Sequence, residues 1–189
     1  MKSILSIFEI GQRGVGRLTF FKRIQPLLLK FKGIIPDFAI KRFINKEMIY
    51  IINCYDIFYN NDRFLPILSD YKIAKGILYM FDLTDESSIT YIKNEIKRAS
   101  ELKFISDNTQ LPVIYIIGNK CDLKQRKECI EEVDNICQEK GYKYFECSGL
   151  KGKNVNEIIH CMVRDIEERK ILLQTQKKKL QKINKCLIF

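Results

Sequence analysis

Tryptophan is absent, histidine occurs once, and the 189 residues include only four prolines and nine glycines. So little glycine and proline, with 46% hydrophobic residues, excludes collagen-like, low-complexity and extensively disordered chains and fits one compact domain. Long apolar runs are also missing. None approaches the ~18 residues of a bilayer-spanning helix, and the apolar run at residues 4–8 is broken by Glu9 too early for a secretory signal. The sequence therefore reads as neither transmembrane nor secreted. Seven cysteines, at 54, 121, 129, 137, 147, 161 and 186, form an odd set without a C-x-x-C pair, so neither a disulfide framework nor a cysteine zinc site is suggested. A reducing cytosol is the expected setting. His160, alone on a predicted helix, reads as a packing or surface residue.

Acid is lacking at one end. The formal charge is +10, and the last 13 residues carry Lys177, Lys178, Lys179, Lys182 and Lys185 with no Asp or Glu, so half of the excess is local. A nucleic-acid arm would combine such charge with interleaved aromatics or a recognition motif, and neither is present. The stretch after about Gln174 either extends the last helix or is a flexible tail, and its composition favours the tail.

Periodicity predicts apolar strands at 3–10, 48–55, 76–81 and 112–117, a more polar strand at 37–44 and a sixth at 142–147. Helical spacing is predicted at 86–103, 126–140 and 155–174, the last with Val155, Ile158, Ile159, Met162 and Ile166 on one face. Such alternation implies an α/β fold, a mostly parallel sheet with helices on both faces.

Three loops carry the chemistry. The first strand runs into Gly11-Gln12-Arg13-Gly14-Val15-Gly16-Arg17-Leu18-Thr19. This is close to the G-x-x-x-x-G-K-[ST] phosphate loop, in which backbone N–H groups converge on phosphate at a helix N-terminus, Lys meets the β/γ-phosphates and a hydroxyl ligands Mg²⁺. Here Arg17 stands for Lys and Leu18 for the hydroxyl; Thr19 lies about 100° further round the helix and is a poor substitute. The strand at 112–117 ends in Asn119-Lys120-Cys121-Asp122, and the sixth strand in Ser148-Gly149-Leu150. An Asp carboxylate can accept two hydrogen bonds from guanine's ring N–H and exocyclic amine, a pattern adenine cannot present, while the Lys stem packs on the base and Asn ties the loops together.

With these motifs the chain resembles a small GTPase of the Ras superfamily, from Ser3 to its C-terminus. Rab-type features are nearest: Ile34-Ile35-Pro36-Asp37-Phe38 is similar to their I-G-V-D-F stretch, Tyr55-Asp56 to their W-D, and residues 78–84 to their L-V-Y-D-I-T strand. The resemblance implies a P-loop small GTPase fold of six mainly parallel strands and about five helices, a G domain at 1–174 and a tail at 175–189. It implies GTP/GDP held by Gly11, Arg13, Gly14, Val15, Gly16, Arg17, Leu18, Thr19, Asn119, Lys120, Asp122, Ser148, Gly149 and Leu150. Mg²⁺ would sit on Asp56 and, poorly, on Thr19, and Asn60 occupies the place of the catalytic glutamine. Effector proteins and prenyl-protein chaperones are the implied partners.

The γ-phosphate half of the pattern is degraded. The switch threonine falls at Gly33, Tyr59 replaces the glycine whose N–H meets the γ-phosphate, and Asn60 replaces the water-orienting Gln. Each lost charge-assisted contact is worth roughly 1.5–3 kcal/mol, so three or four could reduce affinity by several orders of magnitude. Nucleotide binding is expected to outlast hydrolysis. A membrane-tethered adaptor indifferent to nucleotide state is the alternative. Cys186-Leu187-Ile188-Phe189 has the form of a C-a-a-X box, whose final Phe is associated with a geranylgeranyl group. One lipid chain anchors reversibly, and the Lys run supplies the second signal. The expected location is the cytoplasmic face of membranes, with a cytosolic fraction.

Overall fold

A computed structural model describes residues 2–24, 38–45, 48–56, 74–101, 112–124 and 127–186. The elements are β1 (Lys2–Ile10), α1 (Arg17–Ile24), β2 (Phe38–Asn45), β3 (Met48–Asp56), β4 (Gly76–Asp82), α2 (Ser87–Glu101), β5 (Val113–Asn119), α3 (Lys127–Lys140), β6 (Lys143–Glu146) and α4 (Val155–Cys186). They form a six-stranded sheet in the order β2-β3-β1-β4-β5-β6. Among the described strands only β2 runs antiparallel, paired with β3; β1 pairs in parallel with β3 and β4, and β5 with β4 and β6.

Strand alternation sorts the apolar residues onto two faces. Leu5, Ile7, Leu78, Met80, Tyr115 and Ile117 pack with Phe20, Phe21 and Ile24 of α1 and Ile158, Ile159, Met162 and Ile166 of α4. Phe8, Ile10, Ile77, Tyr79, Phe81 and Ile116 pack with Ile89, Ile92 and Ile96 of α2 and Val133 of α3. Every residue of β4 is buried, because helices cover it on both sides. Asp85 starts α2 by accepting the Ser87 N–H at 3.0 Å. Among the described residues, no helix is long and apolar enough to cross a membrane.

One expectation is corrected. The tail read as flexible from residue 175 is helical as far as Cys186, continuous with α4. From Gln174 to Lys185 there is no Gly or Pro, and Lys, Gln and Leu are good helix formers. A solvent-facing helix and a polar tail share one composition, so composition cannot separate them.

Four helices are described. Gly33, Tyr59 and Asn60 lie outside the described residues.

Candidate functional site

Because β1, β3, β4, β5 and β6 run in parallel, their C-terminal ends open on one edge of the sheet, where α/β proteins bind ligands. There β1 hands over to the loop 11–16, β3 ends at Asp56, β4 at Asp82, β5 at Asn119 and β6 just before Cys147. The three loops singled out in the sequence thus meet at one edge.

The phosphate loop turns through two left-handed glycines, Gly14 at φ +93° and Gly16 at +94°. A Cβ on Gly16 would stand 2.4 Å from Asn119 Nδ2, so glycine is needed there for conformation and for space. Above Gly14 the way is open, with nothing within 4 Å of where a Cβ would be. Arg17, the first residue of α1, is only 5% exposed, and Leu18 and Thr19 are half-buried. Thr19 and Phe20 bring their backbone against Gly149, so this part of α1 packs on the base-loop side.

Asn119 holds the site together. It is 2% exposed. Its Nδ2 donates to the Val15 carbonyl at 2.8 Å, and its Oδ1 accepts the Gly149 N–H at 3.0 Å. Phosphate loop and base loop are therefore bridged by one side chain. Backbone bonds tie the loops after β5 and β6 to each other, from Cys147 N–H to the Gly118 carbonyl at 2.8 Å and from Cys121 N–H to the Cys147 carbonyl at 3.0 Å. Burial pushes the Cys147 thiol up, so it is an un-ionised packing group.

Asp122 is exposed, and its carboxylate accepts from the wholly buried Ser148, a hydrogen bond that holds its pKa below the usual carboxylate range. Ser148 Oγ in turn accepts the Lys151 N–H at 3.0 Å. An ionised, oriented carboxylate is the acceptor that a guanine edge requires. Leu150 is exposed at the rim.

Lys120 takes a left-handed conformation, φ +65°, and its Nζ donates to Asp82 Oδ2 at 2.6 Å. Burial alone would raise the Asp82 pKa; Lys120 and the two bonds from Thr84 outweigh it and bring it down. The ammonium is thereby parked on β4 and the Lys120 stem crosses from β5 to that ion pair.

Two contributors were not identified from sequence. Asp82 was read as part of a strand, although a charged residue closing a wholly apolar run was a usable signal. Arg23, on α1, clamps the base loop from behind: Nε donates to the Gly149 carbonyl at 3.1 Å and Nη2 to the Leu150 carbonyl. Nothing in the sequence pointed to that contact. Asp56 ends β3 opposite Glu9 in register, at the same edge. Among the described residues, no cluster of His, Cys, Asp or Glu is arranged to hold a metal.

The residues present fit a purine nucleotide. A glycine cradle open on one side, a buried Asn spanning two loops and an oriented acid at the rim define a phosphate-loop nucleotide-binding fold. The sequence model of the Ras family matches residues 30–168, most of the chain, and this protein belongs to that family. It is a Rab-like member. The Ras-related protein SEC4 of Saccharomyces cerevisiae is 31% identical over 174 residues, 88% of this chain and 77% of SEC4. Rab-13 of Bos taurus is 34% identical over 127 residues, 66% of this chain and 57% of Rab-13. Rab-8B of Dictyostelium discoideum is 29% identical over 175 residues, 89% of this chain and 82% of that protein.

Proposed function

We propose that this Rab-like protein binds GDP and GTP and hydrolyses GTP slowly or not at all, at the cytoplasmic face of membranes engaged in vesicle traffic. The observation that carries the reading is the Asn119 bridge, which fixes the phosphate cradle relative to the Asp122–Ser148 base reader. Slow hydrolysis follows from Tyr59, Asn60 and Gly33 standing where a Gly, a Gln and a Thr would act. Even intact Ras-type sites turn over at only about 10⁻⁴ s⁻¹ unaided. Mg²⁺, where bound, would rely on Asp56, phosphate oxygens and water.

Calorimetric titration of the freshly purified chain with GDP is the test. Heat is expected, and Asp122→Asn should weaken GDP about 10- to 100-fold while improving binding of xanthosine diphosphate, since one carboxylate acceptor becomes an amide donor. An empty pocket that gives no heat overturns this reading. It would leave the second one, a membrane-tethered adaptor, which the burial of Arg17 favours because a buried guanidinium is less available to phosphate.

Membrane attachment is proposed through geranylgeranyl on Cys186, with effectors and prenyl-protein chaperones as partners. In eukaryotic cells, Cys186→Ser is expected to lower the membrane-bound fraction of the protein several-fold, since the lipid chain is lost. Unchanged membrane partition would rule out prenylation as the main anchor.

A further inference from the structure

Helix α4 has two halves with different surroundings. It is 32 residues, about 48 Å at 1.5 Å per residue. Over the first half, Val155, Ile158, Ile159, Met162, Val163 and Ile166 are buried against the sheet. Tyr115 Oη donates to Asp165 Oδ2 at 2.6 Å, and Arg169 Nη1 donates to the Pro112 carbonyl at 3.0 Å. Beyond Arg169 the character changes. Ile171, Leu172 and Leu180 are 61%, 58% and 60% exposed, and residues 174–181 all face solvent.

The apolar residues here are arranged in a pattern. At 100° per residue, the exposed Leu172 and Leu180 and the half-buried Leu173 fall within an arc of about 100° interrupted by Gln176, while Ile171 lies outside it. Lys179 flanks that arc within about 20° on one side, Lys177 within about 40° on the other, and Lys178 points away from it. No acid follows Glu168, whereas Arg169, Lys170, Lys177, Lys178, Lys179, Lys182 and Lys185 are all cationic. A helix with a leucine face, lysines at its margins and no acid suits the boundary between lipid headgroups and acyl chains, where Lys stems can snorkel to the phosphates.

We propose that the projecting half of α4, residues 170–181, is itself a lipid-binding element that lies in the plane of an anionic membrane surface with Leu172, Leu173 and Leu180 inserted. The proposal rests on the membrane reading above but not on the lipid group. A second copy of the chain is the poorer occupant. Leu173 and Leu180 have heptad spacing, but the companion positions three residues after Ile166 and Leu173 are Arg169 and Gln176, and the five lysines from 177 to 185, with no acid among them, would repel a like surface. The consequence is geometric: a helix fixed to the domain at one half and to the membrane at the other restricts how the nucleotide-binding edge is presented, as a flexible tether would not.

The test uses the full chain carrying Cys186→Ser, made without lipid, with vesicles of phosphatidylcholine alone or mixed with phosphatidylserine. It is expected to sediment with the mixed vesicles only. Leu173→Ser with Leu180→Ser should weaken that binding roughly a hundredfold, about tenfold for each leucine removed from the apolar boundary. The chain has no tryptophan, so Leu180→Trp gives a single reporter, whose emission should shift to the blue on mixed vesicles. No binding overturns the proposal. So does binding that survives the two serines with unshifted Trp emission, the behaviour of a charged string. A dimer in sedimentation equilibrium that the serines dissolve would equally overturn it, in favour of a second copy. None of these outcomes depends on prenylation or nucleotide, so failure here is distinct from failure of the function proposed above.

Discussion

Asn119→Ala is expected to remove about 2–4 kcal/mol of folding stability and to lower guanine-nucleotide affinity by roughly two orders of magnitude. The side chain makes two buried hydrogen bonds to main chain 104 and 30 residues away, at 2.8 and 3.0 Å. Alanine leaves the Val15 carbonyl and the Gly149 N–H without that partner inside the protein, and each group then carries its own desolvation cost of about 1–3 kcal/mol. It also opens the space beside Gly16, whose left-handed turn packs on the amide. The affinity loss has a separate origin. With the bridge gone, phosphate loop and base loop move independently, and nucleotide must order them on binding. Urea unfolding and GDP calorimetry on the same variant would read both effects. Asn119→Asp separates them: it keeps the acceptor for Gly149 but sets a carboxylate against the Val15 carbonyl, so it should be no more stable than alanine. A stability loss below about 1 kcal/mol for alanine would show that the two loops are held by their other contacts.

What could be read in the sequence follows the locality of the signal. The β4 and β5 runs are nearly unbroken apolar stretches and were placed within a residue or two of their observed bounds, because a strand buried on both faces carries its own evidence. The phosphate and base loops were legible for a related reason: glycine spacing and Asn-Lys-x-Asp state backbone and acceptor requirements within a few residues. The roles of Arg23 and Asp82 were not legible. Arg23 acts on carbonyls 126 and 127 residues away, and Lys120 on an acid 38 residues away. Such partners depend on the fold, and a charged residue at a helix end looks the same whether it clamps a loop or faces water. The extension of α4 to Cys186 was one of two readings that composition left open. Helices take most of their stability and pattern from a packed face, and this one loses its packed face after Ile166.

Gly149→Ala is expected to destabilise the protein by about 1–3 kcal/mol. A Cβ at residue 149 would stand 2.8 Å from the Phe20 backbone nitrogen, 3.1 Å from its Cα and 3.2 Å from the Thr19 carbonyl carbon. These are main-chain atoms of α1, so no side chain can rotate aside; the helix or the loop must shift as a unit. Neither shifts cheaply. Phe20 and Phe21 are wholly buried under the loop, Asn119 holds the Gly149 N–H, and Arg23 holds the Gly149 carbonyl from the same helix. A methyl group at residue 149 therefore has no room against the α1 backbone. Chemical denaturation should give a lower midpoint with an unchanged slope, since the denatured chain gains only a methyl group. Guanine discrimination offers a second readout. If α1 is displaced by the methyl, GDP affinity should fall with stability, because Arg17, Leu18 and Thr19 start the same helix. An alanine variant of equal or greater stability would mean that α1 and the base loop stand further apart than their backbone contacts imply.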